Sequence, residues 1–230
     1  MPEITPLERE ALSLSLRVAV WSVLASLPLG LATAWLLARR EFYGKALLNG
    51  LVHLPLVVPP VVVGYLLLLL FGRRGPLGAW LYDAFGVTVA FTWKGAALAA
   101  AVMAFPLMVR AMRLSLEAVD RRLEAAARTL GARRFEVFLT VTLPLMSPGI
   151  LAGTILAFAR SLGEFGATIT FVSNIPGETR TLPLALYSLT QTPDGETGAL
   201  RLTAIAVVLA FASLAASEVL ARRIRRHIGI

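Results

Sequence analysis

Two ionisable residues four positions apart, Arg160 and Glu164, stand near the end of an apolar run, in the segment AFARSLGEFGA from Ala157 to Ala167. A charge inside a bilayer is costly, about 2.5–3.5 kcal/mol at a helix centre on insertion scales, so such groups face a cavity or one another. At i, i+4 the two side chains share a helix face and neutralise each other. Two readings follow. One is a structural ion pair. In the other, Arg160 lines a pathway and attracts an oxyanion, while Glu164 keeps the ion from being trapped, because a conducting site must also release. Ser161 lies between the pair, and Gly163 and Gly166 permit close approach of another helix or a bend.

Other constellations that do chemistry are missing from the sequence. Gly44-Lys45 is followed by Ala46, without the glycine-rich approach or the Ser/Thr that a phosphate-binding loop needs for magnesium. There is no Ser-His-Asp set, no HExxH and no paired-carboxylate site in a plausible context. His53 and His227 are far apart, and the absence of cysteine excludes disulfides and thiolate metal sites. No catalytic residue, metal ligand or cofactor is therefore assigned to this chain. Active transport would need ATP and magnesium in a partner ATPase. A secondary transporter or channel would need none, and copurification of a nucleotide-binding subunit separates the two. An intramembrane enzyme would need a clustered nucleophile or acid pair, which the spans lack.

Composition sets the class. Of 230 residues, 57% are hydrophobic and 16% charged, and a mean hydropathy of +0.74 is too high for an ordinary soluble domain. The net charge of +8 does not point to nucleic acid, because the basic residues cluster between apolar spans. A positive-inside membrane protein accounts for them. Spans of roughly 20 apolar residues are expected at Leu14–Leu37, Leu47–Phe71, Thr92–Val109, Leu145–Leu162 and Leu202–Leu220. The acidic start MPEITPLERE lacks the basic region of a cleaved leader, so the first span is expected to remain. The expectation is an all-α integral membrane protein of five transmembrane helices, with one domain over 12–220 and short tails at 1–11 and 221–230.

Arg39, Arg40, Lys45, Arg110, Arg113, Arg121, Arg122, Arg128, Arg133, Arg134 and the arginines at 222, 223, 225 and 226 flank the spans on one side. Arg9, Arg73, Arg74, Arg180 and Arg201 fall on the other, with Arg17 and Lys94 near the same boundary. The excess predicts N-out, C-in. The second span carries Pro55, Pro59 and Pro60, read either as a packing kink or as pathway lining with His53 and Tyr65 nearby. Pro28 and Pro106 read as simple kinks. On the outer side, Gly72–Phe91 brings the aromatics Trp80, Tyr82, Phe85 and Phe91 to the interface. Ala167–Arg201 is longer, and its Leu182–Leu189 run is too short to span. Asn174–Arg180 reads equally as an outer gate, a contact for a binding protein or a plain polar loop.

Between the third and fourth spans lies the one long polar passage, DRRLEAAARTLGARRFEVFLTVTLP from Asp120 to Pro144. Asp120 is a good N-cap. Leu123, Ala126, Ala127 and Leu130 recur at helical spacing, with arginines on the other faces. Glu124 and Arg128 are placed for an i, i+4 ion pair, and Gly131, followed by Ala132, is a natural stop. A second short helix is expected from about Arg134 to Leu143, with Pro144 marking re-entry to the membrane. A solvated loop is the plainer reading of such a cluster; its ordered pattern favours docking on another protein.

The series Ala-Ala-x-x-x-Gly ending at Gly131, then nine residues and Val141-x-Leu143-Pro144, resembles the coupling signature of ABC-importer permeases. The consensus glutamate would fall at Ala125, whereas the acid here is Glu124. Three further stretches, His53–Tyr65, Ala157–Ala167 and Asn174–Arg180, look like the molybdate permeases of type I ABC importers, with the sulfate permeases as near relatives. The resemblance covers nearly the whole chain. It implies a multi-pass subunit of the bacterial cytoplasmic membrane that imports molybdate, or another tetrahedral oxyanion such as sulfate, thiosulfate or tungstate. It also implies two copies of a cytoplasmic ATPase, a second copy of this permease, and a periplasmic or lipid-anchored binding protein. Coupling would fall to Asp120, Leu123, Glu124, Ala127, Arg128, Gly131 and Ala132, and the pathway to Pro59, Pro60, Arg160, Ser161, Gly163 and Glu164.

Overall fold

The computed structural model describes residues 5–228, without the side chains of residues 214, 217, 218, 220 and 221–228. The side chains of Arg222, Arg223, Arg225, Arg226 and His227 thus lie outside the description. All the regular elements among the described residues are helices.

Helix α1 (Pro6–Arg39) starts sharply. The Thr5 hydroxyl accepts from the Glu8 amide, the Glu8 carboxylate accepts from the Thr5 amide, and Pro6 occupies the first turn. Its 34 residues are about 51 Å long at 1.5 Å per residue, more than a hydrocarbon core. Pro28 sits inside it without ending it.

The second expected span is not one rod. Helix α2 (Lys45–Val57) and helix α3 (Pro60–Phe71) meet at a bend of 116°. Val58, preceding a proline, is extended, Pro59 carries no amide, and Pro60 starts the new helix. Pro55 lies within α2 and breaks nothing. The short connection expected at Gly72–Phe91 contains helix α4 (Pro76–Phe85), where Trp80 and Phe85 meet edge to face and Arg73 stacks on Tyr82.

Helix α5 (Trp93–Glu117) is the central element. Its alanine-rich N-terminal half packs with Leu14 and Val18 of α1, Val63 and Leu67 of α3, and the residues Phe171 and Val172. Its C-terminal half, with Met108, Val109, Met112 and Leu116, packs on Val23, Ala34 and Leu37 of α1 and on Met146 and Ala157. Small residues set the approach, as expected where helices pack within lipid. A side chain at Gly153 would meet the Met108 carbonyl at 2.9 Å.

Helix α6 (Arg121–Thr129) follows. From Arg134 the chain is helical to Leu162, through a short α7 (Arg134–Val137), a π turn (Phe138–Thr142) and α8 (Leu143–Leu162). The second short helix therefore does not end at Pro144. In the π turn the Leu143 amide donates back to Phe138, five residues away, and Pro144 follows in the first turn of α8, where its missing amide is tolerated.

After α8 come α9 (Gly166–Val172), α10 (Leu182–Thr190) and α11 (Glu196–Ile228). Helix α10 is the apolar run too short to span, and it packs with Ala11 and Leu202. Among the described residues, four helical stretches are long and apolar enough to cross a membrane: Pro6–Arg39, Trp93–Glu117, Arg134–Leu162 and Glu196–Ser213. The bent α2–α3 pair makes a fifth if it counts as one span.

Candidate functional site: a projecting helix and two facing helix breaks

Asp120 caps α6 as its residue type dictates, its carboxylate accepting from the Arg122 amide at 2.9 Å. At the other end Gly131 adopts φ +93°, the left-handed conformation that glycine takes at little cost. The Gly131 amide donates to Arg128 O and the Ala132 amide to Ala127 O, the paired bonds of a Schellman ending. Helix α6 has no fully buried residue. Leu123 lies exposed on it, Leu130 at its C-cap is more exposed still, and Phe135 is exposed just beyond.

The Glu124 carboxylate does not pair with Arg128. Arg128 Nε donates instead to the Glu124 main-chain carbonyl, while Glu124 Oε1 accepts from Arg39 Nη2 at 2.7 Å and from Thr142 Oγ1 at 2.8 Å. A well-placed cation at the end of α1 and a buried hydroxyl in the π turn outcompete a partner on an exposed face, where an ion pair gains little.

The other expected residues gather where two helices are interrupted. Pro59 and Pro60 mark the α2–α3 break, and Gly163–Phe165 separate α8 from α9. A Cβ on Gly166 would lie 2.8 Å from Pro60 Cβ, and one on Gly64 would lie 2.5 Å from the Ala167 carbonyl oxygen, so the starts of α3 and α9 are in contact. Gly163 faces open space, so only Gly166 of the two expected glycines serves close packing.

Beside these breaks Arg160 Nη1 lies 2.6 Å from Glu164 Oε2, with Glu164 buried and Arg160 partly exposed. The other Glu164 oxygen accepts from the Ala167 amide in the first turn of α9. The carboxylate thus has a structural task at a helix start, where negative charge is favoured, and the guanidinium keeps an accessible face. Ser161 is buried and shares a hydrogen bond with Ser22 of α1 at 2.9 Å.

The sequence profile of binding-protein-dependent transport system inner membrane components matches residues 26–226. The chain belongs to this family. Among similar proteins, the molybdenum transport system permease protein ModB of Escherichia coli K12 is 65% identical over 226 residues, 98% of this chain and 99% of that one. The ModB of Haemophilus influenzae is 59% identical over 223 residues, 97% of each. A bacterial ABC transporter involved in alginate import has the same fold, with a TM-score of 0.75 at 17% identity, covering 96% of this chain and 80% of that one.

In this inner membrane transport component, the Asn174–Arg180 loop is pinned. Asn174 donates to Ser188 Oγ and accepts from Arg180 Nε, and the Thr179 hydroxyl accepts from the Ile175 amide. Glu178 accepts from the Trp93 amide at the start of α5, and Arg17 of α1 stacks over the Trp93 ring. His53 donates from Nδ1 to its own helix at Asn49 O, and Tyr65 is exposed.

Sequence reasoning missed the partners: Arg39, Thr142, Ser22 and Glu178, together with the Glu8–Arg201 pair at 3.0 Å. Their sequence signals are weak. Arg39 reads as one more flanking charge, and a serine or threonine inside an apolar helix carries no spacing rule that names its partner.

Proposed function

We propose that this chain is the non-catalytic transmembrane subunit of an ATP-driven importer that moves molybdate across the bacterial cytoplasmic membrane. The observation that carries the substrate class is the 65% identity to a molybdenum transport permease across nearly all of both chains. In this reading the chain is a single permease domain over 12–220, N-out and C-in, and two copies pair around a central pathway. Each copy seats α6 in a cleft of a cytoplasmic ATPase subunit, which binds the ATP and magnesium. A periplasmic or lipid-anchored protein delivers the oxyanion.

The mechanics follow from elements already described. ATP binding closes the two ATPase subunits and draws the α6 helices together; hydrolysis lets them relax. Rigid bodies rock about the pathway, as in alternating access elsewhere. The exposed stripe of Leu123 and Leu130 supports the docking role. Asp120 and Gly131 fix where α6 starts and stops, and Ala127, Arg128 and Ala132 take part in that ending.

For the pathway, irregular backbone at membrane depth is tolerated where it is buried in protein or lines a wet cavity. The adjoining breaks at Pro59–Pro60 and Gly163–Phe165 support a pathway wall there. Arg160 would attract the dianion through its exposed face, with Glu164 holding it in place, while Ser161 joins the end of α8 to Ser22 of α1. Copurification of the complex, followed by uptake of radiolabelled molybdate with excess sulfate as competitor, tests the reading. ATP-dependent uptake resistant to sulfate is the expected result, and uptake without a nucleotide-binding subunit would refute it.

A further inference from the structure

Helix α6 projects from the bundle, yet something must tie it to the rest of the chain if its movement is to matter. Among the described residues, its side-chain hydrogen bonds to other elements all run through Glu124. Arg128 Nε returns to the Glu124 carbonyl and Thr129 Oγ1 to the Ala126 carbonyl, both within the helix. A single oxygen, Glu124 Oε1, takes Arg39 Nη2 from the last residue of α1 and Thr142 Oγ1 from the last residue of the π turn. The site is sheltered. The Arg39 and Glu124 side chains are only 11% and 16% exposed, and Thr142 is buried. Charge-assisted bonds of this kind are stronger than neutral ones and are less screened away from bulk water.

We infer that Glu124 is a latch fastening α6 to α1 and to the root of α8 at once, and so a positioning residue for energy coupling. Its carboxylate is turned into its own chain and is not offered to a partner; Leu123 and Leu130 form the outward stripe. This rests on the proposed docking of α6 on an ATPase subunit and adds the route inward. A displacement of α6 pulls α1 through Arg39 and reaches α8 through Thr142. The π turn, one residue wider than an α turn, lets the root of α8 accept that shift without breaking the helix.

The test uses the whole importer in proteoliposomes, comparing molybdate imported per ATP hydrolysed for the native chain, R39Q, R39K, T142V, T142S, E124Q and the double variant R39Q/E124Q. A latch predicts that R39Q lowers the ratio roughly tenfold, the scale of one charged hydrogen bond. It predicts that R39K and T142S keep most of it, and that R39Q adds little once E124Q is present. The ATPase subunit should remain bound in R39Q and T142V.

Independent, multiplying losses from R39Q and E124Q would overturn the latch. So would release of the ATPase subunit by E124Q but not by R39Q, which would make Glu124 a direct contact. If the native chain retained no nucleotide-hydrolysing subunit, the docking reading would fall first, and the latch with it.

Discussion

Pro60 and Gly166 touch: a side chain on Gly166 would begin 2.8 Å from the proline Cβ. This brings the two helix breaks together, and it has a cost that can be measured. Gly166→Val and Gly64→Val should each destabilise the detergent-purified protein by about 1–3 kcal/mol, the usual range for overpacking. Gly163→Ala, which meets nothing within 4 Å, should stay within about 0.5 kcal/mol. Thermal unfolding checks all three, and equal losses would contradict the packing described.

Gly131 tests the orientation of α6. A β-branched residue at its φ of +93° is strained by about 1–2 kcal/mol. Gly131→Pro also deletes the amide that donates to Arg128 O. Both variants should insert at native levels yet lose most molybdate uptake while ATP hydrolysis persists. Native uptake by either would count against α6 as the coupling element.

Arg160 and Glu164 should behave differently from each other. Arg160→Gln removes the partly exposed cation and should raise the apparent KM for import several-fold. Glu164→Gln frees the guanidinium to hold the dianion, and should lower turnover while tightening binding. If both variants only lower Tm and leave the kinetics of the surviving protein unchanged, the pair is structural.

The Glu8–Arg201 pair should matter for stability alone. Glu8 is 2% exposed and also caps α1 through Thr5. Removing one member of a buried pair costs about 3–5 kcal/mol, less here because Arg201 remains partly exposed. Glu8→Ala should lower Tm clearly, Glu8→Gln by less, and transport per folded molecule should not change.

Local rules read well from the sequence where the cause is local. The Asp120 cap, the Gly131 stop and the four uninterrupted spans all follow from residue type and period. Proline chemistry locates the break at Pro59–Pro60, but neither its 116° angle nor the contact of α3 with α9 through Gly64 and Gly166 lies within any short window of sequence. The expected Glu124–Arg128 pair fails for the same reason. Spacing identifies who can meet on one helix, whereas Arg39, 85 positions away, wins through the tertiary fold. Pro144 misleads because a π turn has already moved the hydrogen-bond register ahead of it.

In the proposed importer, α6 presents its exposed stripe to a cytoplasmic nucleotide hydrolase. The chain contains no cysteine, so a Leu130→Cys variant, at a residue 88% exposed, carries one thiol at a known place and no other of its own. In inside-out vesicles, site-specific crosslinking from the introduced thiol should capture the ATPase subunit, with a yield that changes when ATP is added. Labelling of the same thiol from outside intact cells, or repeated crosslinking that captures no hydrolase, would rule out docking of α6 on an ATPase subunit.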